Sequence, residues 1–232
     1  MFSKFKELFS SESLLDAAFE TTLTMLEFDH KMYTASSETL RKSDTSELPF
    51  DIKKTDRKIN KFEREVRRNV LTHLSIAGTQ NIVPGLALIS IVIDVERIGD
   101  YTKNIGGLAQ MHPTRLDGGK HEEVLKEIEA TIVANFPVVI EVLKTHDKAK
   151  ARKILQKEEA TAAKAELVVA EMIQHQNEAM SHSTAVALAM YARYLKRINA
   201  HLTNIASAVV NPFPRIGFRE KKAKSKAKPK SK

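Results

Sequence analysis

The chain has 232 residues, no cysteine, no tryptophan, only 8 glycines and 7 prolines, and a formal net charge of +8. Without cysteine there are no disulfides, thiolate metal sites, iron–sulfur clusters or cysteine nucleophile, and sparse Gly and Pro favour long helices over a turn-rich β fold. Arg219–Lys232 carries eight basic residues against one acid, so the basic character belongs to a tail, and the rest of the sequence does not require the basic stripe expected of a nucleic-acid reader.

Met1–Phe9 alternates Phe and Leu with charge. On a helix, Phe2, Phe5 and Phe9 line up with Leu8 beside them. Two readings stand: a turn packed on the body, or a small amphipathic anchor touching a membrane or a partner. The segment is too short and too charged for a secretory signal. No apolar run approaches the ~18 residues of a transmembrane helix, because the longest, Leu86–Ile93, soon meets Asp94. The protein is therefore expected in the cytoplasm.

Ser13 is expected to cap a helix from Leu14 to about Lys42, with Leu15, Phe19, Leu23, Leu26 and Met32 at helical spacing. Ser43–Pro49 is a break. A second helix follows over about 50–74, patterned by Ile52, Ile59, Phe62, Val66 and Val70. Ile76–Asn81 reads as a turn. Pro84 is tolerated in the first turn of a third helix, which runs to about Ala109. Gln110–Lys120, with Pro113, Gly118 and Gly119, divides the chain. A fourth helix spans Glu122–Thr145, with a bend near Pro137. The fifth starts from Asp147 as N-cap and runs to about Gln176. Ser181–Thr184 is a break, and the sixth helix spans about Ala185–Val210, ending before Pro212 and Pro214. The Lys/Ala/Ser run from Lys221 is low in complexity and expected to be disordered.

The third helix carries the chemistry. Glu96 and Asp100 lie one turn apart and continue the stripe of Ile89 and Ile93. Carboxylates on a half-buried stripe need a partner: a cation, a metal or hydrogen-bond donors. On the second helix Asp56, Asn60 and Glu63, spaced four and three, share a stripe with Ile52 and Val70. Two such helices side by side gather four acids and one amide, and an all-oxygen set favours hard cations such as Mg, Mn, Ca or Fe. Arg97 or Arg64 neutralising the acids is the plain alternative. His30, His73, His146, His175 and His201 read as surface or packing residues rather than ligands.

The two halves repeat. Val95–Ile105 aligns with Leu195–Ile205 at an offset of 100 residues, keeping Arg97/Arg197, Ile98/Ile198, Asn104/Asn204 and Ile105/Ile205. This predicts an all-α fold of two tandem three-helix bundles, residues 10–115 and 120–212, followed by the Lys-rich tail at 219–232.

The run Asp94-Val-Glu-Arg-Ile-Gly-Asp-Tyr-Thr-Lys-Asn-Ile105 resembles the third-helix signature of the PhoU family. The resemblance covers roughly Leu14–Val210. It implies a non-enzymatic regulator of phosphate uptake, homeostasis or signalling, cytoplasmic and peripheral at the inner face of the membrane, and a homodimer. Its implied partners are a membrane phosphate transporter or a phosphate sensor kinase. It also implies a site for iron, magnesium, manganese or zinc on Asp56, Asn60, Glu63, Glu96 and Asp100. The second repeat departs from the pattern, with Lys196 and Ala200 where the acids should stand. That site is expected to be lost, with Lys196 paired to Glu158 or Glu159 and metal held in the first repeat only. The departure and the tail suggest a branch serving a sodium–phosphate symporter or a Pit-type carrier rather than an ABC system. Lys221, Lys222 and the Phe-rich N-terminus are the candidate contacts to an anionic membrane or partner.

Two rivals come from other classes. A metal-dependent helical-bundle enzyme would need Glu-x-x-His motifs in the acid stripes, where none stands. A nucleic-acid binder would act through the basic tail alone, and nucleic acid is not expected as a partner.

Overall fold

The computed structural model describes residues 11–112, 114–174 and 180–220. The expectations placed on Phe2, Phe5, Phe9, His175, Lys221 and Lys222 lie outside the described residues, and Ser13, expected as an N-cap, stands inside the first helix, which already runs at Ser11. Among the described residues there are six long helices and no strand: α1 (Ser11–Lys42), α2 (Ile52–Ala77), α3 (Ile82–Met111), α4 (Glu122–Thr145), α5 (Lys148–Ile173) and α6 (His182–Val210).

The helix ends follow local chemistry. Asp147 caps α5, its Oδ1 accepting from the N–H groups of Ala149 and Lys150 at 2.9 and 3.0 Å. Ser181 caps α6 in the same way, accepting from the Thr184 N–H at 3.1 Å. The Ser181–Thr184 stretch is thus a helix start rather than a break, and α6 begins three residues before the expected Ala185. The turn before α3 is tighter than expected: α2 continues to Ala77, and a 3-10 turn, Gly78–Asn81, leads into α3. His146 closes α4 in the left-handed region at φ 53°. The two-residue link that it forms with Asp147 turns the chain straight into α5. The α4 helix is unbroken through Pro137.

In each half the three helices pack on one another, and the halves join through α3 against α6 and α1 against α4. The α3–α6 crossing is antiparallel, since Asp94 meets Asn204 while Tyr101 meets Arg197. One apolar core runs through both halves, from Leu23, Leu26 and Tyr33 through Val92, Val95 and Ile98 to Leu195, Ile198 and Leu202. Burial of apolar stripes at helical spacing is the main driving term for such an assembly. A second tie is polar. Arg41, at the end of α1, donates to Glu129 at 2.8 Å and Glu122 at 2.7 Å on α4, and Tyr191 of α6 donates to the same Glu129 at 2.9 Å.

Candidate functional site

The α2–α3 hairpin brings the predicted acids onto one face. Packing of the antiparallel pair sets Asp56 beside Lys103, Ile59 beside Gly99, and Glu63 within electrostatic reach of Glu96. Glu96 and Asp100 are partly buried, at 17% and 29% side-chain exposure, as are Glu63 at 13% and Asp56 at 27%. They border the core rather than enter it: Val95 and Ile98 are fully buried, while Ile93, placed on the acid stripe, is 38% exposed.

The immediate partner of these acids is Lys103. Its ammonium donates to Oδ1 of Asp56 and to Oδ1 of Asp100, both at 2.8 Å. Arg97 lies farther off, 3.4 Å from Asp100 and 3.7 Å from Glu96, and Glu63 pairs with Arg67 at 2.6 Å. Asn60 donates to Asp56 at 3.4 Å. Asp56 and Asp100 hold the Lys103 ammonium above its usual proton affinity, and this outweighs a desolvation cost that is individually the largest influence.

A further acid, absent from the sequence-derived set, joins from α1. Asp29 is fully buried, and neither carboxylate oxygen has a hydrogen-bond partner. Burial pushes its carboxyl well above the ordinary range, and the negative charges of Glu96 and Asp100 push it the same way. Glu96 is raised too, first by burial and then by Asp100. Gly99 makes room for this convergence. A Cβ there would stand 3.0 Å from Oδ1 of Asp29 and 2.9 Å from Cδ1 of Ile59. The sequence did carry a signal for Asp29, which sits at helical spacing between Leu26 and Tyr33 on the buried stripe of α1.

Among the described residues, no three His, Asp or Glu side chains are placed to enclose a metal ion. Lys103 stands between Asp56 and Asp100. The chemistry of the set still suits a hard cation. All donors are oxygens, the acids outnumber the cations paired with them, and the buried Asp29 carboxylate lacks any compensating donor.

The second half is built differently at the corresponding positions. Lys196 pairs with Glu166, not with Glu158 or Glu159 as expected from spacing, because the packing of α5 on α6 sets Glu166 opposite it. Glu159 is instead paired with Arg219 at 2.8 Å. Asn199, standing where the first half has Gly99, is buried and accepts from Asn135 of α4 at 3.1 Å. Of the histidines, His201 does more than pack. Its Nδ1 lies 2.6 Å from Oδ1 of Asp94, tying α6 to α3.

A family model described as the PhoU domain matches residues 22–109 and again residues 125–209. The crystal structure of PhoU from Pseudomonas aeruginosa superposes with a TM-score of 0.77, covering 87% of this chain and 97% of that one at 19% identity. The phosphate transport system regulatory protein PhoU from Streptococcus pneumoniae superposes with a TM-score of 0.75, covering 87% and 95% of the two chains at 18% identity. At such identities the likeness is one of fold. None of the curated proteins matches the chain in sequence. No described helix is long and apolar enough to cross a membrane.

Proposed function

The chain belongs to the PhoU family, and from that premise we propose that it regulates phosphate uptake by binding a membrane phosphate carrier or its sensor kinase from the cytoplasmic side. The observation that carries this reading is the double match of the family domain, once over each three-helix set. A symporter or Pit-type carrier is the favoured partner, because the second repeat has lost its acids and the chain adds a lysine-rich tail. No catalytic step is part of the reading. The working form is a homodimer. The tail, with Lys221 and Lys222 nearest the body, and the Phe-rich N-terminus supply contact with anionic lipid.

Within that role the first-repeat acids hold a hard cation. Asp56, Asn60, Glu63, Glu96 and Asp100 would supply the oxygens, with Asp29 behind them and Lys103 displaced. The ion would contribute positive charge that ties α2 to α3 and offsets the unpaired Asp29. In this chain Lys103 supplies a weaker version of that tie, so the site trades between an internal ammonium and an external metal.

Deleting the gene and measuring initial phosphate uptake tests the main reading. The expected result is a change in uptake rate that the wild-type gene restores. Unchanged uptake together with unchanged phosphate-responsive expression would overturn it. Metal analysis of the purified protein against the Glu96→Ala/Asp100→Ala double variant tests the cation; equal metal content in both would sink that part alone.

A further inference from the structure

The chain does not end at α6. Residues 212–220 pass through a 3-10 turn, Phe213–Arg215, that packs on α3, and then run back along α5 and α6 as a strap. Four contacts hold it. The Gly217 N–H donates to Oγ of Ser207 at 2.7 Å, with Gly217 at φ 83°, where a side chain would be strained. Nδ2 of Asn211 donates to the Phe218 carbonyl at 2.6 Å. Arg152 of α5 grips Glu220 through two bonds of 2.8 Å each. Arg219 reaches Glu159, also on α5, at 2.8 Å.

The strap covers one particular place. Between it and the two helices lies a cavity of about 600 Å³ whose lining includes Ala200, Thr203 and Asn204. At the offset of 100 these are the counterparts of Asp100, Lys103 and Asn104. Among the described residues, the repeat that carries the acids has no such strap over its α2–α3 face. The repeat that lost them has its corresponding face covered by the chain's own C-terminal segment.

Phe213 and Ile216 are part-buried, but the end of the strap is held by polar contacts rather than apolar burial, since Phe218 remains 62% exposed. Of its two ion pairs, Arg152–Glu220 is partly exposed and Arg219–Glu159 largely exposed, and such pairs are weak and screened by salt. Local opening of a segment so held is easy. Seven lysines follow within the next twelve residues. An anionic surface that draws in these lysines competes for the cation of both latches: it attracts Arg219 away from Glu159 and offers Arg152 an alternative to Glu220.

We propose that residues 212–220 form an electrostatic latch over the second-repeat face, and that an anionic lipid surface opens it by engaging the adjoining lysines, uncovering Ala200, Thr203 and Asn204. This rests on the membrane contact proposed for the tail, and the test separates the two. The full-length chain is mixed with vesicles of equal parts phosphatidylglycerol and phosphatidylcholine, or of phosphatidylcholine alone. Sedimentation reads binding, and amide hydrogen exchange over residues 211–218 reads the strap. The expected result is sedimentation with the anionic vesicles only, with exchange over the strap faster by about tenfold or more. Glu220→Gln, which removes one latch, is expected to speed exchange in the same residues without any lipid. Sedimentation with unchanged strap exchange overturns the latch and leaves the membrane contact standing. No sedimentation with anionic vesicles overturns both. Equal acceleration by the neutral vesicles overturns the electrostatic mechanism.

Discussion

Lys103 reaches from α3 to α2 and sets its ammonium 2.8 Å from Oδ1 of Asp56. The same nitrogen is 2.8 Å from Asp100, so one lysine joins two of the acids proposed to hold a cation. A metal and this ammonium want the same oxygens. Lys103→Met is therefore expected to weaken the metal-free protein, by about 1 kcal/mol given the partial exposure of the pair. It should also strengthen metal binding, because a competing positive charge is gone. Urea unfolding of both proteins, with and without millimolar Mn²⁺ or Mg²⁺, checks this. The ions should stabilise the variant more than the wild type; equal stabilisation of the two would rule out competition for one site.

Asp29 makes the same cluster pH-dependent, and its sign is opposite to that of an ordinary ion-paired acid. Burial and the neighbouring charges of Glu96 and Asp100 raise its carboxyl in the folded state. The folded protein thus holds this proton to higher pH than the unfolded chain does. The stability so gained is fully present below the unfolded-state value near pH 4 and is lost as pH rises through the folded-state value. Asp29→Asn removes the titration while keeping the shape. It is expected to be more stable than wild type at pH 8 by about 1–3 kcal/mol and to show a flatter stability profile above pH 5. Denaturation midpoints at several pH values in the presence of chelator read this directly. A variant less stable than wild type at pH 8 would mean that the ionised Asp29 has a compensating partner.

The helices were legible because each carries an apolar stripe at helical spacing, and their ends because Asp147 and the prolines after α6 are unambiguous stops and starts. The serine-rich stretch at Ser181 looks like a break in sequence, yet the Ser181 hydroxyl serves as the cap of α6. Asp56, Asn60, Glu63, Glu96 and Asp100 do fall on one hairpin face, which spacing along two helices was enough to anticipate. The identity of their partner was not legible. Lys103 stands three residues beyond Asp100, a spacing that on its own signals only a surface pair. What makes it a bridge is the register of α3 against α2, and that register is set by packing around Ile59 and Gly99. The same limit explains Lys196, whose partner Glu166 is fixed by how α5 lies on α6.

Arg41 holds the first half to the second through a buried fork. Its side chain is 6% exposed and meets both Glu122 and Glu129. Removing one member of such a group leaves the others desolvated and uncompensated. Arg41→Met is expected to cost about 3 kcal/mol. Arg41→Lys should recover only part of this, since an ammonium lacks the planar fork by which the guanidinium meets Glu122, Glu129 and the Leu116 carbonyl together. Chemical denaturation of the three proteins tests the order wild type, Lys, Met. A methionine variant as stable as wild type would show that apolar packing replaces the fork without loss.

Asp94 belongs to the motif run but faces away from the acid cluster. Its Oδ1 accepts from His201 at 2.6 Å and from Asn204 at 3.1 Å, both on α6. On the far side of the ring, Arg197 approaches Nε2 of His201 at 3.3 Å and donates to the Tyr101 hydroxyl at 3.2 Å. A guanidinium only donates, so Nε2 must accept, and Nδ1 then carries the proton that points at Asp94. The ring also stacks on Tyr101 at 5.7 Å. The network thus crosses the seam between the halves and gives Arg197 and Asn204 of the second repeat a role in holding α3. Asp94→Ala should leave His201 and Asn204 without their acceptor and cost about 1–3 kcal/mol. Asp94→Asn keeps an acceptor oxygen and should cost less. If the seam couples the halves, the alanine variant should also broaden the unfolding transition, as the two three-helix sets begin to unfold separately. An unchanged midpoint and slope in Asp94→Ala would assign the coupling to apolar packing alone.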